Sequence, residues 1–330
     1  MNTHPILIVT VDGVPVSGPF FGRLISLTII DREGIAADSL EMIFDDGWPR
    51  FASPRRGARV KVAIVAGLGS VPLGEYVIDR VENAFFPYSI SVRGHSADLR
   101  AGMKTHKTRH WDNKTVKEVV EEIAADHSLQ PQIADAVSGH KYSWLGQQDE
   151  SDLNFLERLA RRHGALFTIK SGRLLWLEAG AGKTASGEVI PEIPILAPSI
   201  IANSGKVWES DVERFKTIKA YWQDRAGAKR QEVIIEADPE AAGEHVLRDP
   251  FASKEEAEKA ARAAVRDMLR GSVRTVCGLV GAPSLMAGQP ISYVGVRSGI
   301  DGRPFILETV SISYSKKEGL RTNLEGRLKV

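Results

Sequence analysis

Gln147-Gln148-Asp149-Glu150-Ser151-Asp152-Leu153-Asn154-Phe155-Leu156-Glu157-Arg158-Leu159-Ala160-Arg161-Arg162-His163-Gly164 reads as a short helix with both ends marked. Asp149 offers a cap to the free amides, and Glu150 and Asp152 put negative charge in the first turn. Arg161, Arg162 and His163 place positive charge in the last turn, and Gly164 supplies a left-handed stop. At the helical angle per residue, Leu153, Phe155, Leu156, Leu159 and Ala160 fall within one sector roughly 160° wide. The segment is an amphipathic helix docked on a core, and nothing in it suggests catalysis.

Upstream, Thr115-Val116-Lys117-Glu118 fits a capping box, and Val116, Val119, Val120, Ile123 and Ala124 keep the spacing of one helical face. That helix ends near His127, and Pro131 forbids its continuation. A loop containing Tyr142 and Trp144 is expected between the two helices. Further back, residues 1–98 read as strands without an intervening helix, with candidates at 6–11, 24–30, 39–44, 60–65, 74–81 and 89–94. Asp12-Gly13 marks a turn, and alternation is clearest in 39–44 and 59–65.

Downstream, 165–169 and 173–177 flank Lys170-Ser171-Gly172, a hairpin signal. The proline-rich run 191–198 suggests a surface linker, and 207–222 and 231–236 are strand candidates. Ser253 and Glu256 predict a second capping box for a helix over 253–270, whose Ala257, Ala260, Ala261, Ala264, Val265, Met268 and Leu269 keep helical spacing up to a stop at Gly271. Strands at 273–280, 290–296, 304–314 and 322–328 follow. The expected fold class is α+β, mainly β, with two antiparallel β-barrel-like domains and inserted helices in a pseudo-duplicated order. The expected division is 1–98 as the first barrel domain and 99–164 as a connection and helical pair. Residues 165–330 would form the second barrel domain, with 253–270 inserted.

Composition removes several function classes. The 330 residues carry 43 basic and 42 acidic side chains, a net charge of +1, which disfavours tight nucleic-acid binding through phosphates. Cys277 is the lone cysteine, so no internal disulfide forms, and its place in an alternating stretch predicts a buried strand thiol. Met1-Asn2-Thr3-His4-Pro5 lacks the basic and apolar regions of a signal peptide, and no apolar run approaches the roughly 20 residues needed to span a bilayer. Folding in a reducing cytoplasm is expected.

Four motifs invite a chemical reading. Ala179-Gly180-Ala181-Gly182-Lys183-Thr184 ends like a phosphate-binding loop, but Leu177 stands where the first glycine is required, and the run to Pro191 is a poor helix start, so a turn is expected. His106 and His110 lie four apart, yet Lys107 replaces the glutamate of the zinc-protease form, and Arg100, Lys104, Arg109 and Lys114 disfavour a cation. The basic run from Arg100 to Lys114, with Trp111 beside it, is expected to be an exposed connection or interface arm rather than a nucleic-acid strip. Asp45-Asp46 precede Gly47-Trp48-Pro49 and read as a turn. No catalytic, cofactor-binding or metal-ligating residue is assigned, no cofactor is expected, and the chain is read as no enzyme.

Several segments together carry a family resemblance. Arg109-His110-Trp111-Asp112-Asn113-Lys114-Thr115 and Ile123-Ala124-Ala125-Asp126-His127-Ser128-Leu129 lead to Gln148, Glu150-Ser151-Asp152, Phe155-Leu156, Arg158-Leu159-Ala160 and His163-Gly164. Near the C-terminus stand Gly281-Ala282-Pro283-Ser284-Leu285, Ala287-Gly288, Gly319, Thr322, Leu324 and Glu325. In this pattern the chain resembles the phage late control D family, the baseplate hub proteins of contractile phage tails, related to the hub part of VgrG. Relatives often carry a histidine in the penultimate strand, where this chain has Ser311-Ile312-Ser313-Tyr314. The resemblance implies a homotrimeric ring of pseudo-sixfold symmetry, with two similar barrels per subunit joining the hexameric tail tube protein to a trimeric spike protein. It implies DNA passing through the ring without specific binding, no membrane insertion, and a place in the virion tail baseplate, assembled in the bacterial host cytoplasm of a phage or prophage. The alternative is the hub module of a type VI or phage-derived injection apparatus; a cell-wall hydrolase fits the sequence less well.

Overall fold

Period-two alternation sets the strands. In Ser39–Asp45, Leu40, Met42 and Phe44 are buried while Ser39, Glu41 and Ile43 point to the other, half-exposed face. The computed structural model describes residues 6–16, 18–50, 52, 54–66, 69–96, 101–170, 172–212, 214–224, 227, 229–248 and 250–330. Of the residues named in the sequence, Met1 to Pro5, Arg100 and Ser171 lie outside them.

The N-terminal strands are β1 (Ile6–Val11), β2 (Val14–Pro15), β3 (Leu24–Arg32), β4 (Ser39–Asp45), β5 (Arg59–Ala66), β6 (Gly69–Ala84) and β7 (Ser89–Ser96). A six-residue helix, α1 (Gly18–Arg23), precedes β3 and had no clear sequence signal. The middle of the chain runs β8 (His106–Thr115), α2 (Val116–Asp126), β9 (Gln130–Ile133), β10 (Lys141–Ser151), α3 (Asp152–His163), β11 (Ala165–Lys170) and β12 (Arg173–Glu178). After it come β13 (Ile193–Leu196), β14 (Lys206–Glu209), β15 (Thr217–Asp224), β16 (Lys229–Glu236), β17 (Glu244–Val246), α4 (Lys254–Gly271), β18 (Val273–Val280), β19 (Pro290–Val294), β20 (Pro304–Ser315) and β21 (Gly319–Leu328).

Thirteen strands share one sheet, in the order β14-β18-β21-β20-β3-β4-β7-β6-β5-β1-β2, with β19 also beside β20 and β13 beside β19. The path is open: among the described residues no pairing joins its two ends. All its pairings are antiparallel except β13–β19. The two strand-rich ends of the chain meet where β3 pairs β20, from Ser26↔Ser315 to Arg32↔Thr309. Leu27 and Ile29 of β3 and Val310 and Ile312 of β20 enter the same buried cluster there. Gly94 of β7 lies so close to β6 that a Cβ would sit 2.7 Å from the Val77 carbonyl oxygen, so only glycine fits.

A second core holds α2 and α3 between the β8–β10 ribbon and the small sheet β11-β12-β9, with Phe155, Leu156, Leu159 and Trp176 fully buried. A third packs the alanine face of α4 on β15 and β16, through Ala257, Ala260, Ala261, Ile218 and Val233.

Local expectations meet tertiary contacts at several points. The Thr115–Glu118 capping box forms in full, and Gly164 ends α3 in the left-handed region at φ 63°. Asp149 does not cap α3. Strand β10 continues through Glu150 and Ser151, paired to Lys107 and His106, so the helix starts at Asp152 and the Ser151 hydroxyl accepts from the Asn154 amide. The second capping box is half made: Ser253 accepts from the Glu256 amide, but the Glu256 carboxylate goes to the Ala252 amide instead. Gly271 lies within α4, whose C-cap is Ser272. Tyr142 and Trp144 sit on β10 rather than in a loop. The 191–198 run is no free linker, since β13 pairs β19, and 207–222 divides into β14 and β15.

Candidate assembly site

From His106 to Lys114 the basic run expected as an exposed connection is strand β8, while Lys104 ends a short 3-10 turn before it. Its alternation turns Lys107, Arg109 and Trp111 inward and His106, Thr108 and His110 outward. Pairing with β10 sets Lys107 opposite Glu150 and Arg109 opposite Gln147, beside the start of α3. There Asp152, with no exposed surface, accepts from Lys107 Nζ at 2.7 Å, Arg109 Nη2 at 2.7 Å and Gln147 Nε2 at 2.9 Å, with His127 Nε2 at 2.7 Å. Arg109 also reaches Asp126 at 2.6 Å and Gln147 Oε1 at 2.8 Å, and its guanidinium lies 4.8 Å over the Trp111 ring. Burial would raise the Asp152 carboxyl, but the hydrogen bonds from His127, Lys107 and Gln147 and the Arg109 charge outweigh it and hold it at about 2. The node ties both helices to the ribbon. Its glutamine is buried Gln147, not the exposed Gln148 that the sequence pattern singled out.

A second node joins α3 to α4. Tyr142 on β10 donates to Glu256 Oε1 at 3.0 Å, and its oxygen lies 2.9 Å from His163 Nε2. With the hydroxyl proton spent on the carboxylate, the tyrosine oxygen can only accept, which fixes the Nε2–H form of the ring. Arg162 adds a 3.4 Å contact to Glu256. Burial, then the charges of His140, Lys259 and Arg162, pushes His163 down to about 3, so it brings no positive charge to the end of α3.

Two further ion groups seat the helical region on the main sheet. Lys170 of β11 pairs with Asp31 and lies 3.6 Å from Asp38, and Asp31 also accepts the Ala287 amide at 2.8 Å. Burial lifts Asp38 to about 6 against the pull of Lys170. Glu33, raised by burial, faces Arg270 of α4 at 3.5 Å.

The remaining motifs take structural places. Residues 179–184 turn through Gly180 and Gly182 into a bridge between Lys183 and Val189 and open no helix. His106 and His110 stand four apart on a strand, roughly 13 Å along it, so the helical spacing for sharing an ion is lost. Among the described residues no group of three or more His, Cys, Asp or Glu could hold a metal ion, and no helix is long and apolar enough to cross a membrane. Cys277 is buried on β18, and burial pushes its thiol up to about 11.

The stretch Asp45 to Pro49, expected as a turn, bends at Trp48 and Pro49 and exposes an aromatic ring. Trp48 is 90% exposed, Phe86 84% and Phe85 72%. They share one end of the sheet, where Asp45 pairs Ser89 and the Asp46 amide donates to Tyr88 at 3.2 Å. Arg23 braces this tip by donating to the carbonyls of Gly47, at 3.2 Å, and Pro49. A braced loop presenting aromatic rings is suited to seating in a partner.

These features accord with what the chain resembles. A probable baseplate hub protein of Escherichia phage 186 is 28% identical, the match covering 99% of this chain and 93% of that protein. In fold, the 43 kDa tail protein of prophage MuSo2 from Shewanella oneidensis matches with a TM-score of 0.73 at 16% identity, over 98% of each chain. A component of the E. coli type VI secretion system matches with a TM-score of 0.58 at 13% identity, over 98% of this chain and 77% of that one. The phage tail baseplate hub family model matches residues 52–317, and the chain belongs to that family.

Proposed function

We propose that three copies of this chain close a ring of pseudo-sixfold symmetry, which joins a hexameric tail tube to a trimeric spike in the baseplate of a contractile phage or prophage tail. The observation that carries this reading is surface. The chain exposes 17713 Å², whereas a compact monomer of 36.1 kDa should expose about 13,400 Å². An excess of this size is what a subunit of an obligate assembly has available to bury. The organisation supports it as well. We read residues 1–98 as one strand-rich unit, 165–330 as the other with α4 inserted, and 99–164 as the helical connection, against whose core β11 and β12 pack, so that three copies would present six units. The role is structural rather than enzymatic, DNA passes through the ring without being gripped, and the ring assembles in the host cytoplasm.

Light scattering of the purified chain, alone and with its spike partner, tests this. Trimers in either sample support the ring; monomers in both overturn it. A hub module of a type VI or phage-derived injection apparatus would share the ring, and the tube protein that binds it tells the two apart. Clearing of peptidoglycan around the band in a zymogram would instead point to a cell-wall hydrolase.

A further inference from the structure

We infer that the cleft between α3, α4 and the β20–β21 edge is a docking site for an acidic, apolar-faced segment of a partner protein. The cleft has a volume of about 1000 Å³, and eight arginines but no lysine line it, against four carboxylates. In a chain of net charge +1 that is a local concentration. Arg158, Arg161 and Arg162 come from α3, Arg266 and Arg270 from α4, and Arg327 from β21. Glu150 holds Arg158 through both Nε and Nη2, but for the others their own partners fill only part of the planar fork. Arg162 meets Glu256 at 3.4 Å, Arg266 meets Glu178 at 3.2 Å, and Arg327 meets Glu308 at 2.6 Å. Arg270 is 6% exposed, its Nη2 is 3.5 Å from Glu33, and its Nε, with no acceptor among the described residues, lies against Gly180. Carboxylates fit that geometry, since arginine binds them through two parallel N–H donors.

The walls choose between acidic partners. Glu33, Glu157, Asp267 and Glu308 stand among the arginines and would repel a continuous phosphate chain, whereas separated carboxylates can alternate with them. The apolar lining includes Ala260, Ala263, Ala264, Leu166 and Leu247, small aliphatic groups rather than stacking rings. Phe251, the one aromatic ring, is covered by Arg162 at 5.6 Å. A protein segment with acidic and aliphatic side chains satisfies both features; a nucleic acid satisfies neither.

The test uses the full chain and three fluorescein-labelled probes: a synthetic peptide of Glu, Leu and Ala, its counterpart with Gln for each Glu, and an oligothymidine of equal length. Anisotropy should show the Glu peptide binding at least about tenfold tighter than the Gln peptide, weakening as salt rises. R161E/R248E/R266E should lose at least about tenfold of that affinity. Arg161 is 78% and Arg266 43% exposed, and Arg248 is exposed, so the fold does not depend on them. Should the reversed-charge variant fail to fold, R161Q/R266Q decides, with a smaller loss expected. Equal binding of the two peptides, tighter binding of the oligothymidine, or variants that keep full affinity would overturn the assignment. A monomer presents the same cleft, so this result stands or falls apart from the ring.

Discussion

Replacing Asp152 with asparagine removes a charge, keeps the shape, and leaves Lys107 and Arg109 facing a neutral amide in a site without solvent. Two magnitudes bracket the cost. The carboxyl sits at about 2 against its usual 3.8, a difference equivalent to about 2.5 kcal/mol in favour of the ionised form. Breaking a buried ion pair by removing one partner costs about 3–5 kcal/mol. A loss of about 2–5 kcal/mol at neutral pH is therefore expected, lowering the melting temperature of this part of the molecule by roughly 4–10 °C. Urea titration followed by tryptophan fluorescence reads it, because Trp111 and Trp176 lie in the same core. The sign with pH follows from the depressed value. Stability from Asp152 is fully present above 3.8 and is lost as pH falls towards 2, so the gap between wild type and D152N should shrink by about half at pH 3. A loss below about 1 kcal/mol at pH 7, or a gap unchanged between pH 6 and 3, would refute the node as an organiser of the helical region.

Other perturbations address the second node and the chain stop. Glu256→Gln should cost about 1.5–3 kcal/mol, and a double-mutant cycle with Tyr142→Phe, measured by denaturant titration, should show coupling because the two groups share a hydrogen bond. His163, held at about 3 against 6.5, contributes stability that is present above 6.5 and falls away as pH drops towards 3; His163→Gln should flatten that slope in calorimetry from pH 7 to 4. Gly164→Ala should destabilise by about 1–2 kcal/mol in thermal melts, since φ is 63° and the new Cβ would lie 3.1 Å from Ala263 Cβ and 2.6 Å from an Arg266 nitrogen.

What the sequence made legible was local. The apolar faces of α2, α3 and α4, the Thr115 box, the Gly164 stop and the β11–β12 hairpin each rest on residues within a few positions of one another, and all are present. Misreadings came where a distant partner decided between local options. Asp149 and Ser151 are both good caps, and the register of β10 on β8 chooses Ser151. Glu256 could have closed its own box, but its two carboxylate oxygens go to the Ala252 amide and to Tyr142, 114 residues away. The basic cluster around Arg109 looked solvated because Asp152, its countercharge, lies 43 residues on. Trp48 and Phe86 share a tip only because β4 pairs with β7, a contact between residues over 40 positions apart. The arginine cleft gathers residues from α3, α4 and β21, a convergence that no window of sequence contains.

The β3–β20 pairing sets an order of events during synthesis. Strand β3 ends at Arg32, and its partner begins at Pro304, so the ribosome must deliver nearly the whole chain before that edge is covered. The helical region, with its own core and nearer contacts, can form much earlier. Until β20 emerges, an open edge rich in isoleucine and leucine waits for any strand that offers itself. Fragments ending before residue 304 should accordingly precipitate or recruit chaperones, even though they contain α1 to α4.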